Sequence, residues 1–161
     1  MNIQTCSYDH PDAVKLEAQV QQEYMRRYDD GEGDSTPLDP SMFEPPRGIY
    51  LIAYDDRDRA VATGAWRSQE ENGEGYAVGD AEIKRMYVIP DCRSLGLARR
   101  ILALLEADAR ATGRIRMVLE TGTQQPEAIA LYTSSGYLPT PKFGHFREYE
   151  DSRCFAKPLT P

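Results

Sequence analysis

Residues 82–113 read Glu82-Ile-Lys-Arg-Met-Tyr-Val-Ile-Pro-Asp-Cys-Arg-Ser-Leu-Gly-Leu-Ala-Arg-Arg-Ile-Leu-Ala-Leu-Leu-Glu-Ala-Asp-Ala-Arg-Ala-Thr-Gly113, and their pattern decides the fold. The first part, Ile83 to Ile89, is rich in β-formers and ends at Pro90 and Asp91. Beyond the turn, Leu97, Ile101, Leu104, Leu105 and Ala109 recur at steps of three, four or one, the period of a buried helical face. Gly113 ends the helix. Strand, glycine-containing turn and helix in this order direct the turn's backbone N–H groups and the helix N-terminus at one point. Such a point suits a phosphate.

The charges agree. Arg99 and Arg100 fall in the first helical turn, where the macrodipole disfavours a cation by about 0.3–1 kcal/mol. Neither has a carboxylate three or four residues further on, whereas Glu106 and Arg110 are spaced as a favourable i,i+4 pair. Two unpaired arginines at a positive helix end make sense if an anion binds there. On charge alone, a purely solvent-facing role would explain them as well.

The segment Arg93-x-x-Gly96-x-Ala98 resembles the acyl-coenzyme A signature of the GNAT N-acetyltransferases, Arg/Gln-x-x-Gly-x-Gly/Ala. The pattern is loose alone, and its context makes it specific. The family opens a long helix with it after a strand, then adds a second strand and a helix carrying Leu-Tyr before Gly-Tyr/Phe. Met117 to Glu120 and Leu131-Tyr132-Thr-Ser-Ser-Gly136-Tyr137 supply those pieces, so the resemblance covers about residues 80–158.

Several expectations follow from the resemblance. The chain is a single GNAT-like domain over residues 1–161, an α/β fold with a mixed, mostly antiparallel central sheet flanked by helices. The backbone of Met86, Tyr87 and Val88 pairs with the pantetheine amides of acetyl-coenzyme A as an added strand would. Arg93, Ser94, Leu95, Gly96, Leu97, Ala98 and Arg99 hold its phosphates. Tyr132 protonates the departing thiolate, as a phenol with an unperturbed pKa of ~10 can at neutral pH. The family often carries an asparagine seven residues before that tyrosine; here the position is Gln125, an amide on a longer stem.

For the base that takes the amine proton, Glu82 is the first candidate, at the start of the strand beside the acyl group, acting directly or through a water. A structural reading, with Glu82 paired to Lys84 or Arg153, has equal weight. Glu120 is second, and His145 is a loop residue within conceivable reach of the acceptor. The reaction so implied moves an acetyl group from acetyl-coenzyme A to a primary amine of a small molecule or peptide by direct attack. The alternative is a non-catalytic acyl-coenzyme A-binding sensor or regulatory module.

Composition bounds these readings. The chain has 161 residues, 40% hydrophobic, enough for one domain with its own core. No apolar run approaches the ~20 residues of a membrane span. Cys6, Cys92 and Cys154 show no paired spacing, so neither disulfides nor a metal site is expected, and the N-terminus lacks signal-peptide regions; these point to the cytoplasm. The net charge of −7 is uneven: residues 1–80 hold 17 acidic and 7 basic side chains, and residues 81–161 hold 9 and 12. That disfavours a nucleic-acid partner and suits a cationic acceptor, and an acidic surface that only keeps the protein soluble explains it at least as well. A homodimer is compatible with the sequence.

Along the rest of the chain, a helix is expected from Pro11 to about residue 29, an acidic loop over 29–37, and a helical turn around Met42 and Phe43. A β-hairpin follows over 48–54 and 60–66, then a polar loop over 68–79 and a strand over 80–88. After the long helix come a strand over 115–120, a helix from Pro126 to Ser135, and short strands at 137–138 and 153–157.

Overall fold

The computed structural model describes residues 1–27 and 37–159. Among these residues, seven strands form one sheet: β1 (Asn2–Thr5), β2 (Gly48–Tyr54), β3 (Ala60–Gln69), β4 (Asp80–Val88), β5 (Arg116–Gly122), β6 (Leu138–Pro139) and β7 (Ser152–Pro158). Three α-helices accompany them: α1 (Pro11–Arg27), α2 (Leu97–Ala111) and α3 (Pro126–Ser134). The strand order is β1-β2-β3-β4-β5-β7-β6. Among the described strands only β4 and β5 run parallel; every other neighbouring pair is antiparallel. The fold is thus the expected mixed α/β sheet flanked by helices.

Both faces of the sheet are covered, which explains why β3 is buried almost throughout rather than alternating. Ala65 packs with Ala13 of α1, Phe43 and Tyr50. Its neighbour Trp66 donates its indole N–H to Asp108 of α2 at 2.8 Å. Adjacent strand residues point to opposite faces, so α1 covers one side and α2 the other. Arg99 of α2 donates to Ser134 and Ser135 at 2.7 and 3.3 Å, which places α3 beside α2.

The hairpin turn forms where expected, with the Asp55 carboxylate accepting the N–H groups of Arg57 and Arg59, each at 2.9 Å. The buried stripe of α2 is Leu97, Ile101, Leu102, Leu105 and Ala109, whereas Leu104 is 46% exposed. Glu106 and Arg110 do not pair with each other. Glu106 accepts from Tyr137 at 2.7 Å and pairs with Lys157 at 3.0 Å, while Arg110 donates to the Leu159 carbonyl. Tertiary partners outcompete a surface pair worth only a few tenths of a kcal/mol. β1 was not expected, and β3 runs three residues longer than its hydrophobic pattern. Tyr28 and most of the acidic loop over 29–37 lie outside the described residues. No described helix is long and apolar enough to cross a membrane.

Candidate active site

The parallel strands β4 and β5 hold together for three residue pairs and then separate. Asp80, Ala81 and Glu82 face Arg116, Met117 and Val118, and the ladder ends there. Beyond this fork, the β5-facing edge of β4 makes no further ladder pairs with β5 among the described residues, and a cleft of about 540 Å³ opens between the strands. An extended chain with amide groups could complete that edge as a strand would.

A bulge prepares the edge. Between the pairs Thr63–Tyr87 and Ala65–Lys84, β3 contributes one residue and β4 contributes two. Arg85 in the bulge has φ +59°, uncommon for a side chain with a Cβ. Its carbonyl accepts from the Thr63 hydroxyl at 2.8 Å, and its guanidinium pairs with Glu17 of α1. Two elements therefore pin a conformation that costs on the order of 1–3 kcal/mol.

At the open end of the cleft lies the turn before α2. Ser94 and Gly96 both adopt left-handed φ, +67° and +78°. Such alternation tilts successive N–H groups toward one side, forming an anion-binding concavity, and the first-turn N–H groups of α2 add to it. Nothing lies within 4 Å of where a Cβ on Gly96 would project, so glycine serves the backbone angle there rather than a close contact. Arg93 secures the turn: its Nε donates to the Val88 carbonyl at 2.8 Å, its Nη2 meets Glu23 of α1 at 2.8 Å, and its guanidinium lies 5.6 Å over the Tyr87 ring.

Of the residues expected to bind the cofactor, Met86, Tyr87, Val88, Arg93, Ser94, Gly96, Leu97, Ala98, Arg99 and Gln125 all line this cleft. Leu95 does not, and it is 66% exposed. Arg100 is exposed and also outside the lining.

Tyr132 lines the cleft from α3, 5% exposed, its ring edge-on to Tyr137 at a centroid distance of 5.6 Å. Burial, with a smaller contribution from Tyr24, raises its pKa above the ordinary phenol value. It therefore carries its proton throughout the neutral range.

The two candidate carboxylates are placed differently. Glu120 lines the cleft, whereas Glu82 does not. Glu82 is 3% exposed and points to the α1 face, where its Oε1 accepts from Arg67 Nε at 2.7 Å and from Gln69 at 3.1 Å. Its Oε2 accepts from the Tyr76 hydroxyl at 2.7 Å. Burial by itself would raise the Glu82 pKa. The charges of Lys84 and Arg67, with the hydrogen bonds from Tyr76 and Arg67, outweigh it and hold the carboxyl below its ordinary range. The bonded partners are thus Arg67, Gln69 and Tyr76, with Lys84 acting through its charge. Arg153 donates instead to the carbonyls of Glu150 and Ser152.

Tyr76 belongs to the polar loop and was missed in the sequence. It packs on Phe143, and Glu120 is among the charges that raise its pKa, after burial and Glu82. Its isolation as an aromatic among polar residues was the one available signal. His145 is exposed, edge-on to Phe146.

Residues 16–137 match the model of the GNAT acetyltransferase family. The chain belongs to that family. GNAT relatives include an IAA acetyltransferase of Azospirillum brasilense, 37% identical over 122 residues, which are 76% of this chain and 75% of the relative. The uncharacterised N-acetyltransferase YjgM of Escherichia coli K12 is 30% identical over 80% of this chain and 76% of its own length. A crystal structure of a proposed acyl-CoA N-acyltransferase from Klebsiella pneumoniae superposes with a TM-score of 0.78 at 30% identity, over 99% of this chain and 97% of the other. An aminoglycoside 6′-N-acetyltransferase crystallised with coenzyme A shares the fold, with a TM-score of 0.71 at 15% identity over 100% and 98% of the two chains. GNAT members are acyl-coenzyme A-dependent N-acetyltransferases.

Proposed function

We propose that this GNAT protein transfers the acetyl group of acetyl-coenzyme A to a primary amine of a small molecule or peptide, by direct attack. The observation that carries the reading is the fork: β4 and β5 part after Glu82 and Val118, and the cleft joins an anion-binding turn at one end to a buried tyrosine hydroxyl. The free edge of Met86, Tyr87 and Val88 takes the pantetheine amides. The N–H groups of Ser94, Leu95, Gly96, Leu97, Ala98 and Arg99 take the pyrophosphate, Arg93 keeps the turn closed, and the amide of Gln125 hydrogen-bonds the arm.

In the reaction the amine nitrogen bonds to the thioester carbonyl carbon, and the carbon–sulfur bond breaks. The amine proton passes to a carboxylate, and the thiolate receives a proton from Tyr132, which recovers it from solvent. Of the two carboxylates, Glu120 is on the cleft wall and takes the proton directly; Glu82, behind the wall, takes it only through a water. A coenzyme A-induced rise in Tm tests binding. A screen of amine classes for thiol release from acetyl-coenzyme A tests transfer. Binding without release from any amine would favour the acyl-coenzyme A-binding module instead.

A further inference from the structure

Two aliphatic side chains close the cleft where β4 and β5 meet. Glu82 and Val118 are the last residues paired across the fork. The next residue on each strand, Ile83 and Leu119, lines the cleft while remaining 5% and 2% exposed. Glu82 bonds to Tyr76, and Val118 packs with the same tyrosine. Strand alternation then turns Ile83 and Leu119 to the opposite face, into the core cluster that holds Tyr132 and Ile101.

Nearby packing on that face is close. A Cβ on Gly64 of β3 would come 2.5 Å from Ile101 Cγ2 and 2.6 Å from Met86 Sδ, so the layer of Gly64, Met86 and Ile101 has no slack. On the other face, the buried ion pair of Arg67 and Glu82, with Tyr76, bars an alkyl chain. Burying hydrocarbon there would mean breaking hydrogen bonds to a buried charge.

The geometry points to Ile83 and Leu119 as an apolar stop that limits the acyl donor to two or three carbons. This rests on the acyl-transfer reading of the same cleft: with the thioester beside Tyr132, the far end of the acyl group is directed at the fork. A closed apolar pocket discriminates by roughly 10–200-fold per methylene. A donor two carbons longer than acetyl therefore meets at least one such step, and a hexanoyl chain meets several.

Two measurements test this. The first compares acetyl-, propionyl-, butyryl- and hexanoyl-coenzyme A by thiol release with one accepted amine. The wild-type kcat/KM should fall at least about tenfold from acetyl to butyryl and about 100-fold or more to hexanoyl. In Ile83→Ala and Leu119→Ala, the butyryl-to-acetyl ratio should rise about tenfold or more, with affinity for free coenzyme A unchanged. If either alanine variant does not fold, Ile83→Val and Leu119→Val carry the comparison with propionyl-coenzyme A. The second measurement is competitive binding of the same acyl-coenzyme A series, which needs no turnover. Wild type should bind hexanoyl- more weakly than acetyl-coenzyme A, and widening the fork should narrow the gap. Equal affinity for the two donors, or an unchanged ranking in folded variants, overturns the stop. A preserved length ranking with no thiol release from any amine would instead sink the transfer reading and leave the stop standing.

Discussion

Replacing Tyr132 with phenylalanine removes one oxygen and leaves the ring. The ring is 5% exposed and meets Tyr137 edge-on at 5.6 Å, a contact phenylalanine reproduces. The fold should therefore change in stability by no more than about 1 kcal/mol, the net worth of a typical hydrogen bond. The chemical step has more to lose. A positioned acid contributes roughly 10²–10⁴-fold, which at about 1.4 kcal/mol per decade is a barrier increase of roughly 3–5 kcal/mol. Because burial raises the Tyr132 pKa, the wild-type rate should show no loss from its ionisation below about pH 10. The assay is steady-state thiol release at saturating acetyl-coenzyme A, paired with the Tm shift produced by free coenzyme A. The expected outcome is a kcat loss in that range with an unchanged shift, the mark of an interaction made only in the transition state. Turnover within about threefold of wild type would refute the role and leave the thiolate to be protonated by solvent.

Other expectations concern the fork and the turn. Glu120→Gln should lower kcat by about 10²-fold or more without altering coenzyme A affinity; a full rate in that variant would return the base to Glu82 and a water. Glu82 has a folded-state pKa below its ordinary 4.5, so its contribution to stability is present above that value and lost as pH falls through the folded pKa. Glu82→Gln should therefore melt lower at neutral pH and lose less on acidification; parallel Tm-versus-pH curves would contradict the Arg67–Glu82 pairing. Gly96→Ala has space for its methyl but a φ of +78°, so it should lower stability by about 1–2 kcal/mol and weaken coenzyme A binding, read by calorimetry. Arg99→Gln should flatten the salt dependence of coenzyme A binding; an unchanged slope would show that Arg99 serves only to join α2 to α3.

Much of this architecture is legible in the sequence because its signals are local. The turn at 93–98 and the helix after it are set by neighbouring residues, and the strand-turn-helix unit forms where its pattern places it. The helical stripe is less secure in detail: Leu104 and Leu102 exchange places because single apolar residues on a helix flank belong to either side of the boundary. β1 is not legible, since Ile3 is the only apolar residue in Asn2–Thr5 and the segment is a strand only through pairing with β2. The surroundings of Glu82 are likewise tertiary. Arg67 reaches it because β3 and β4 align those two residues, and Tyr76 arrives from a loop with no periodicity. The fork itself is a difference between two ladders, and no residue of β4 or β5 announces where the pairing stops.

The most direct test of the central claim is a stoichiometric one. Purified protein, acetyl-coenzyme A and a panel of primary amines are incubated together, with free thiol and N-acetylated product quantified in the same sample. Acyl transfer at the fork predicts one amide formed for each thiol released with at least one amine class, and both signals suppressed in Tyr132→Phe. Thiol release without amide, or coenzyme A binding with neither product across the panel, would contradict it.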